Sequence, residues 1–181
     1  KYLTIFTFST ENWDRPKLEV NYITKTLLNE SLNENFDNLH KLGVKIVIRG
    51  SIEKLDNSLK RKIIDAQKKT LNNKSISLVI AFDYGGRNEI VNTVKEIVKD
   101  DIKFSEINEE LFNKYINKDE IPDPDLIIRT GGEYRLSNFL IWQSAYSEFY
   151  TSEVLWPDFT MSDFFDALKS YSMRSRRFGI N

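Results

Sequence analysis

Ser77-Leu78-Val79-Ile80-Ala81-Phe82-Asp83-Tyr84-Gly85-Gly86-Arg87 is the stretch whose reading decides the fold. An apolar run with no inside-outside alternation gives way to a polar turn with paired glycines. Ile90, Val91, Val94, Ile97 and Val98 then recur at helical spacing. A short strand of this kind is buried on both faces, as parallel strands are. Working outward, Leu3 to Phe8, Val44 to Ile48 and Leu126 to Ile128 repeat the type, and Glu148 to Thr151 is a weaker fifth strand. Helical stripes lie between them. Val20, Ile23, Leu27, Phe36 and Leu39 follow Pro16 and precede Gly43; Leu59, Ile63 and Ala66 mark a second helix. Thr160-x-x-Asp163 forms a capping box ahead of Phe164, Phe165, Leu168 and Tyr171. The alternation predicts an α/β fold, a mostly parallel sheet flanked by helices on both faces. Residues 1–181 show no repeat, low-complexity tract or linker and read as a single domain.

Composition narrows the function. The 181 residues carry 26 Lys+Arg against 27 Asp+Glu, a formal net charge of -1, which argues against nucleic acid as a partner. Cysteine is absent, so disulfides, thiolate metal sites and a Cys nucleophile are excluded. The single histidine, His40, falls inside a helical pattern and is assigned no role. No apolar run approaches the roughly 20 residues that span a bilayer, and no signal-peptide pattern is present, so the expected compartment is the cytoplasm. Lys1 leads straight into the first strand, and domains seldom open in mid-strand; an upstream segment is expected.

The loops leaving the carboxyl ends of parallel strands collect chemistry. Three are polar here, and each admits two readings. Arg129-Thr130-Gly131-Gly132 through Ser137 is either a tight turn with surface ion pairs or an anion cradle. In the second reading glycine N–H groups turn toward the ligand, Arg129 and Arg135 add planar donors, and Ser137 adds a hydroxyl near a helix start. Ser9 to Pro16 reads as cap chemistry, with Asp14 capping the next helix, or as a site wall built on Trp13 and Arg15. Asp83 to Arg87 reads first as a turn, with Asp83 a turn or cap residue, and second as a phosphate-cradling helix start. Glu148, among Tyr146, Phe149 and Tyr150, needs a cation, and either an Arg partner or Mg²⁺ supplies it.

Taken together, Phe8-Ser9-Thr10-Glu11-Asn12-Trp13-x-Arg15-Pro16, Tyr84-Gly85-Gly86-Arg87, Arg129-Thr130-Gly131-Gly132-Glu133-x-Arg135-Leu136-Ser137-Asn138-Phe139-x-x-Trp142-Gln143, Ala145-Tyr146-x-Glu148, Trp156-Pro157-Asp158-Phe159 and Arg176-Arg177-Phe178-Gly179 resemble the cis-prenyltransferases. The resemblance runs along the whole chain, nearest the bacterial undecaprenyl diphosphate synthase (isoprenyl transferase) branch. It implies a homodimeric, Mg²⁺-dependent enzyme. Such an enzyme condenses farnesyl diphosphate with successive isopentenyl diphosphates into a cis-polyprenyl diphosphate carrier lipid that partitions into the membrane. By motif position it implies that Ser9, Asn12, Trp13 and Arg15 line the reacting centre, Ser9 and Asn12 as catalytic residues and Trp13 and Arg15 as substrate-binding ones, with Arg15 on the allylic substrate's side. Arg129, Arg135 and Ser137 would bind isopentenyl diphosphate, and Glu148 would bind the metal. Arg177 and Gly179 would reach the partner subunit's diphosphate. Val20, Ile23 and Leu27 are candidate walls of the chain tunnel. A rival reading is a non-catalytic partner subunit of a heteromeric enzyme.

Four departures stand out, one of them a tail that ends Gly179-Ile180-Asn181 rather than Gly-Gly. The family's Asn before Tyr-Gly-Gly-Arg is Asp83, and Gly50-Ser51 replaces the usual Gly-Asp. Nothing matches the family's Met-Asp-Gly-Asn-x-Arg-Trp motif, whose Asp is the main metal ligand; an N-terminal strand and helix are thus expected to be missing. The 181-residue chain incubated alone with Mg²⁺, farnesyl diphosphate and labelled isopentenyl diphosphate is therefore predicted to elongate little or nothing. Elongation at ordinary rates would contradict this.

Overall fold

The strand singled out above is the middle of a sheet. The computed structural model describes residues 1–175. In it β1 (Tyr2–Ser9), β2 (Val44–Gly50) and β3 (Ile76–Tyr84) form a parallel sheet ordered β1-β3-β2. A second pair, β4 (Leu126–Arg129) and β5 (Glu148–Thr151), is also parallel. The five expected strands and the α/β class are borne out. The helices are α1 (Lys17–Asn21), a π-helical turn over Tyr22–Leu27, α2 (Leu28–Lys41), α3 (Asn57–Thr70), α4 (Gly86–Lys99), α5 (Glu109–Ile116) and α6 (Met161–Ser172). Among the described residues no helix is long and apolar enough to cross a membrane.

The chain forms two compact units, the first Lys1–Glu89, the second beginning at Ile90, inside α4. In the first, Phe8 stacks on Phe82 with ring centroids 5.2 Å apart, and Val20, Leu55, Leu59 and Ile63 close around them. Burying such side chains contributes about 1.5–3 kcal/mol each. The predicted α3 stripe of Leu59, Ile63 and Ala66 is buried. It continues to Thr70, whose hydroxyl donates to the Ala66 carbonyl at 2.8 Å and accepts from the Ile46 N–H at 3.0 Å. That bond ties α3 to β2. The second unit buries Ile97, Ile116, Ile121, Ile127, Leu140 and Ala167.

Two expectations are corrected here. On α4, past its first residue Gly86, the buried positions are Thr93 and Ile97, while Val91, Val94 and Val98 are exposed. Helical period marks an apolar stripe without saying which edge of it faces the core. Asp14 does not cap α1, whose N-cap is Pro16 without a side-chain hydrogen bond. The capping box of α6 is present as read. The Thr160 hydroxyl and backbone N–H donate to Asp163 Oδ2 at 2.6 and 2.7 Å. These bonds, the hydroxyl's first, hold the Asp163 carboxyl below its ordinary range. A depressed carboxyl contributes stability that is present above the unfolded pKa and fades as pH falls through the folded one.

Gly50 ends β2 with φ of 106°, and an added Cβ would stand 2.2 Å from the Phe82 carbonyl oxygen. Gly50→Ala combines left-handed strain with a backbone clash and is predicted to destabilise by about 3 kcal/mol in urea unfolding.

Candidate active site

The parallel register sets the carboxyl ends of the first sheet level: Ser9 lies opposite Tyr84, and Gly50 opposite Phe82. Three loops leave from there. After Ser9 the chain tightens into a 3-10 turn over Thr10–Asp14, closed by the Asn12 side chain, whose Oδ1 accepts the Ser9 N–H at 2.8 Å. The sequence reading of Ser9 and Asn12 as cap chemistry is thus borne out. Trp13 packs edge-on against Phe8 at 4.9 Å, and its indole Nε1–H donates to Asp83 Oδ1 at 2.7 Å. Lys54, from the loop after β2, lies 3.4 Å from Asp83 Oδ2 and 4.9 Å above the Trp13 ring. Asp83 is only 6% exposed and holds a positive φ of 43°. It lies within β3, one residue before the strand ends, and so is neither the turn residue nor the cap that the sequence suggested. Arg15 turns outward to Glu19 at 2.5 Å. An open cleft beside Trp13 is lined by Val20, Thr24, Lys25, Lys54 and Leu55. Ser9, Asn12 and Trp13 are therefore gathered on one turn, and Val20 reaches its wall. The side chain of Leu27 lies outside the described residues.

In the second unit Arg129 ends β4, and its Nε is buried with no acceptor among the described residues. An unsatisfied buried donor of a charged group is unfavourable by roughly 1–3 kcal/mol or more, so it calls for a missing partner. The backbone cradle expected at the paired glycines is not there. Gly131 N–H donates to Val154 O at 2.8 Å and Gly132 N–H to Ser152 O at 2.9 Å. The glycines are needed instead for φ of 83° and 69°; at Gly132 a Cβ would also meet Glu153 Oε2 at 2.5 Å. Ser137 is not near a helix start. It lies in a turn where Ser137, Asn138 and Leu140 all take positive φ, 50°, 65° and 43°. Arg135 pairs with Glu133 and is 62% exposed, so that pair is weak.

Glu148 has the arginine partner that the residues alone allowed: Arg174 Nη1 donates to its Oε2 at 2.7 Å. In the ladder Glu148 lies opposite Leu126, and Arg129 opposite Thr151. The two thus stand three positions apart, about 10 Å along the strands and on opposite faces. The structure does not bring them together. Nor do three His, Cys, Asp or Glu side chains converge on a possible metal site among the described residues. Arg177 and Gly179 lie outside the described residues.

Residues 1–179 match the family model described as "Putative undecaprenyl diphosphate synthase". The chain belongs to the cis-prenyltransferase family. It is 46% identical over 183 residues to an isoprenyl transferase of Clostridium perfringens, covering 99% of this chain and 72% of that protein. It is 45% identical over 183 residues to a Micrococcus luteus ditrans,polycis-undecaprenyl-diphosphate synthase described as (2E,6E)-farnesyl-diphosphate specific, covering 99% and 73%. Among solved structures, lavandulyl diphosphate synthase from Lavandula x intermedia, in complex with dimethylallyl diphosphate, superposes with a TM-score of 0.93 at 32% identity, covering 99% of this chain and 79% of that one.

Sequence reasoning missed Lys54 and the bond from Trp13 to Asp83. The residues are 70 positions apart, and no local pattern links them. It also missed α5, although Asn108 followed by two Glu and the Leu111, Phe112, Tyr115, Ile116 stripe announces it; Asn108 Oδ1 accepts the Leu111 N–H at 2.9 Å. Because Glu148 and Arg174 are each about 30% exposed, Glu148→Gln is predicted to change stability by less than ~1 kcal/mol, read by chemical denaturation.

Proposed function

We propose that this chain carries substrate-binding machinery of an enzyme that condenses an allylic diphosphate, farnesyl diphosphate, with successive isopentenyl diphosphates to give a cis-polyprenyl diphosphate carrier lipid. The buried Arg129 Nε–H without an acceptor among the described residues carries the reading, since a diphosphate oxygen completes it. The names of the relatives support the same chemistry. The left-handed run from Ser137 to Leu140 supports it too, because strained backbone persists where a site requires it. The non-catalytic alternative gains no support: Arg129, Arg135, Ser137 and Glu148 are all retained.

In this reading Arg129, Arg135 and Ser137 hold isopentenyl diphosphate, and Arg135 leaves its weak bond to Glu133 to do so. Ser9, Asn12, Trp13 and Arg15 hold and flank the allylic substrate. The alkene of isopentenyl diphosphate attacks the allylic carbon, the carbon–oxygen bond breaks, diphosphate departs, and one proton is lost. Fixing both substrates removes much of the entropic barrier to a bimolecular step. Arginine donors stabilise the negative charge that develops on the leaving group. Asn12 acts as a positioning group rather than a base: its amide oxygen is barely basic and already accepts from Ser9. Water or the released diphosphate takes the proton.

Mg²⁺, when bound, neutralises diphosphate charge. The described residues alone do not make its site, since Glu148 is engaged by Arg174 and turned away from Arg129. Mg²⁺ usually keeps several waters and binds through one or two carboxylates plus substrate phosphates, so it would arrive with the substrates. The two compact units act as one domain, a reading supported by a family model that runs through both. We further propose a homodimer, in keeping with the exposed Val91, Val94, Val98, Phe149 and Trp156. The compartment is the cytoplasm, beside the membrane that receives the product.

Arg129→Ala is predicted to weaken isopentenyl diphosphate binding roughly 10- to 100-fold, and Arg135→Ala about tenfold, with farnesyl diphosphate binding little changed. Isothermal titration with each substrate decides. Unchanged isopentenyl diphosphate affinity in both variants would remove these arginines from the site.

A further inference from the structure

We infer that Asp83 is a positioning residue whose carboxylate fixes the Trp13 indole as a wall for the allylic substrate, with Lys54 completing the clamp. The inference deepens the reading above and rests on it. The two carboxylate oxygens take different partners. Oδ1 accepts the indole N–H at 2.7 Å, and Oδ2 faces the Lys54 ammonium at 3.4 Å. The same ammonium lies over the Trp13 ring, 4.9 Å from its centroid, where a cation is attracted by the π face. Phe8 meets that ring edge-on at 4.9 Å. The indole is therefore gripped at its N–H, on a face and along an edge. The grips come from β1, the loop after β2 and the end of β3.

Charge explains why this is more than a buried hydrogen bond. A carboxylate 6% exposed is unfavourable unless paired, and Lys54, at 57% exposure, pairs with it from the solvent side. Asparagine at this position would still offer one oxygen to the indole. Its amide NH₂ would then face the Lys54 ammonium, donor against donor, and that arm of the clamp would open. Asp83 and Lys54 are thus energetically coupled through Trp13. The backbone conformation favours these substitutions unequally: φ of 43° is tolerated by Asp and Asn and strained for Ala.

The experiment uses the chain labelled with ¹⁵N at tryptophan, its Trp13 Nε1–H resonance assigned with W13F. D83N is expected to leave that resonance near its parent position, and D83A to move it toward the resonances of exposed indoles. D83A is expected to weaken farnesyl diphosphate binding about tenfold and to leave isopentenyl diphosphate binding unchanged, a split that a merely structural role would not produce. K54M should weaken farnesyl diphosphate binding in the parent and have no further effect in D83N, the signature of coupling. That cycle stands even where D83A fails to fold. An unmoved resonance in D83A, equal weakening toward both substrates, or additive effects of K54M and D83N would each overturn the inference. A Trp13 resonance that does not respond to saturating farnesyl diphosphate in the parent would remove the substrate from this wall, and with it the positioning role. The shift between parent and D83A would then still report the hydrogen bond, so the two failures are distinguishable.

Discussion

The first unit depends on β3 being paired on both sides. Parallel ladders to β1 and β2 satisfy its backbone and bury its last four residues, Ala81 to Tyr84. Because the register brings Ser9 beside Tyr84 and Gly50 beside Phe82, three loops are delivered at one level. The stacking of Phe8 on Phe82 beneath them supplies the floor. The contacts between loops at this end follow from that pairing, the indole bond to Asp83 and the approach of Lys54, while the Ser9–Asn12 closure is local.

The second unit handles charge differently. Backbone donors that anion sites often use are spent here on structure, since the Gly131 and Gly132 N–H groups bind the carbonyls of Val154 and Ser152. In the proposed reading, what remains to meet an anion is side-chain chemistry, above all the guanidinium of Arg129, whose buried Nε has no acceptor among the described residues. A planar, permanently charged donor set is well suited to diphosphate. Glu148 looks across the ladder the other way and is neutralised by Arg174 near the end of α6.

The strands were legible because most of them are continuous apolar runs, and all five lie where the residues placed them, although β1 buries only Phe8 and no residue of β5 is buried. Boundaries rooted in local chemistry were legible too, as at Thr160 and Asp163. The outward edge of α4 was not, because a stripe of Ile and Val has two edges and only tertiary packing selects Thr93 and Ile97 for burial. For the site, the residue types in the loops pointed to diphosphates. The contacts made between loops could not be read, because Trp13 and Asp83 meet only after β1 and β3 have paired. The glycine pair misled for a physical reason: positive φ serves a tight turn as well as an anion cradle, and the sequence is the same in both cases.

The left-handed run at Ser137, Asn138 and Leu140 has a consequence for how this chain can change over time. Three non-glycine residues in that region within four positions form a reservoir of unfavourable backbone energy. Glycine at any of them would relax the backbone and, by the same step, loosen the hydroxyl of Ser137 or the packing of Leu140. Selection for a sturdier protein and selection for a sharper site therefore pull this loop in opposite directions.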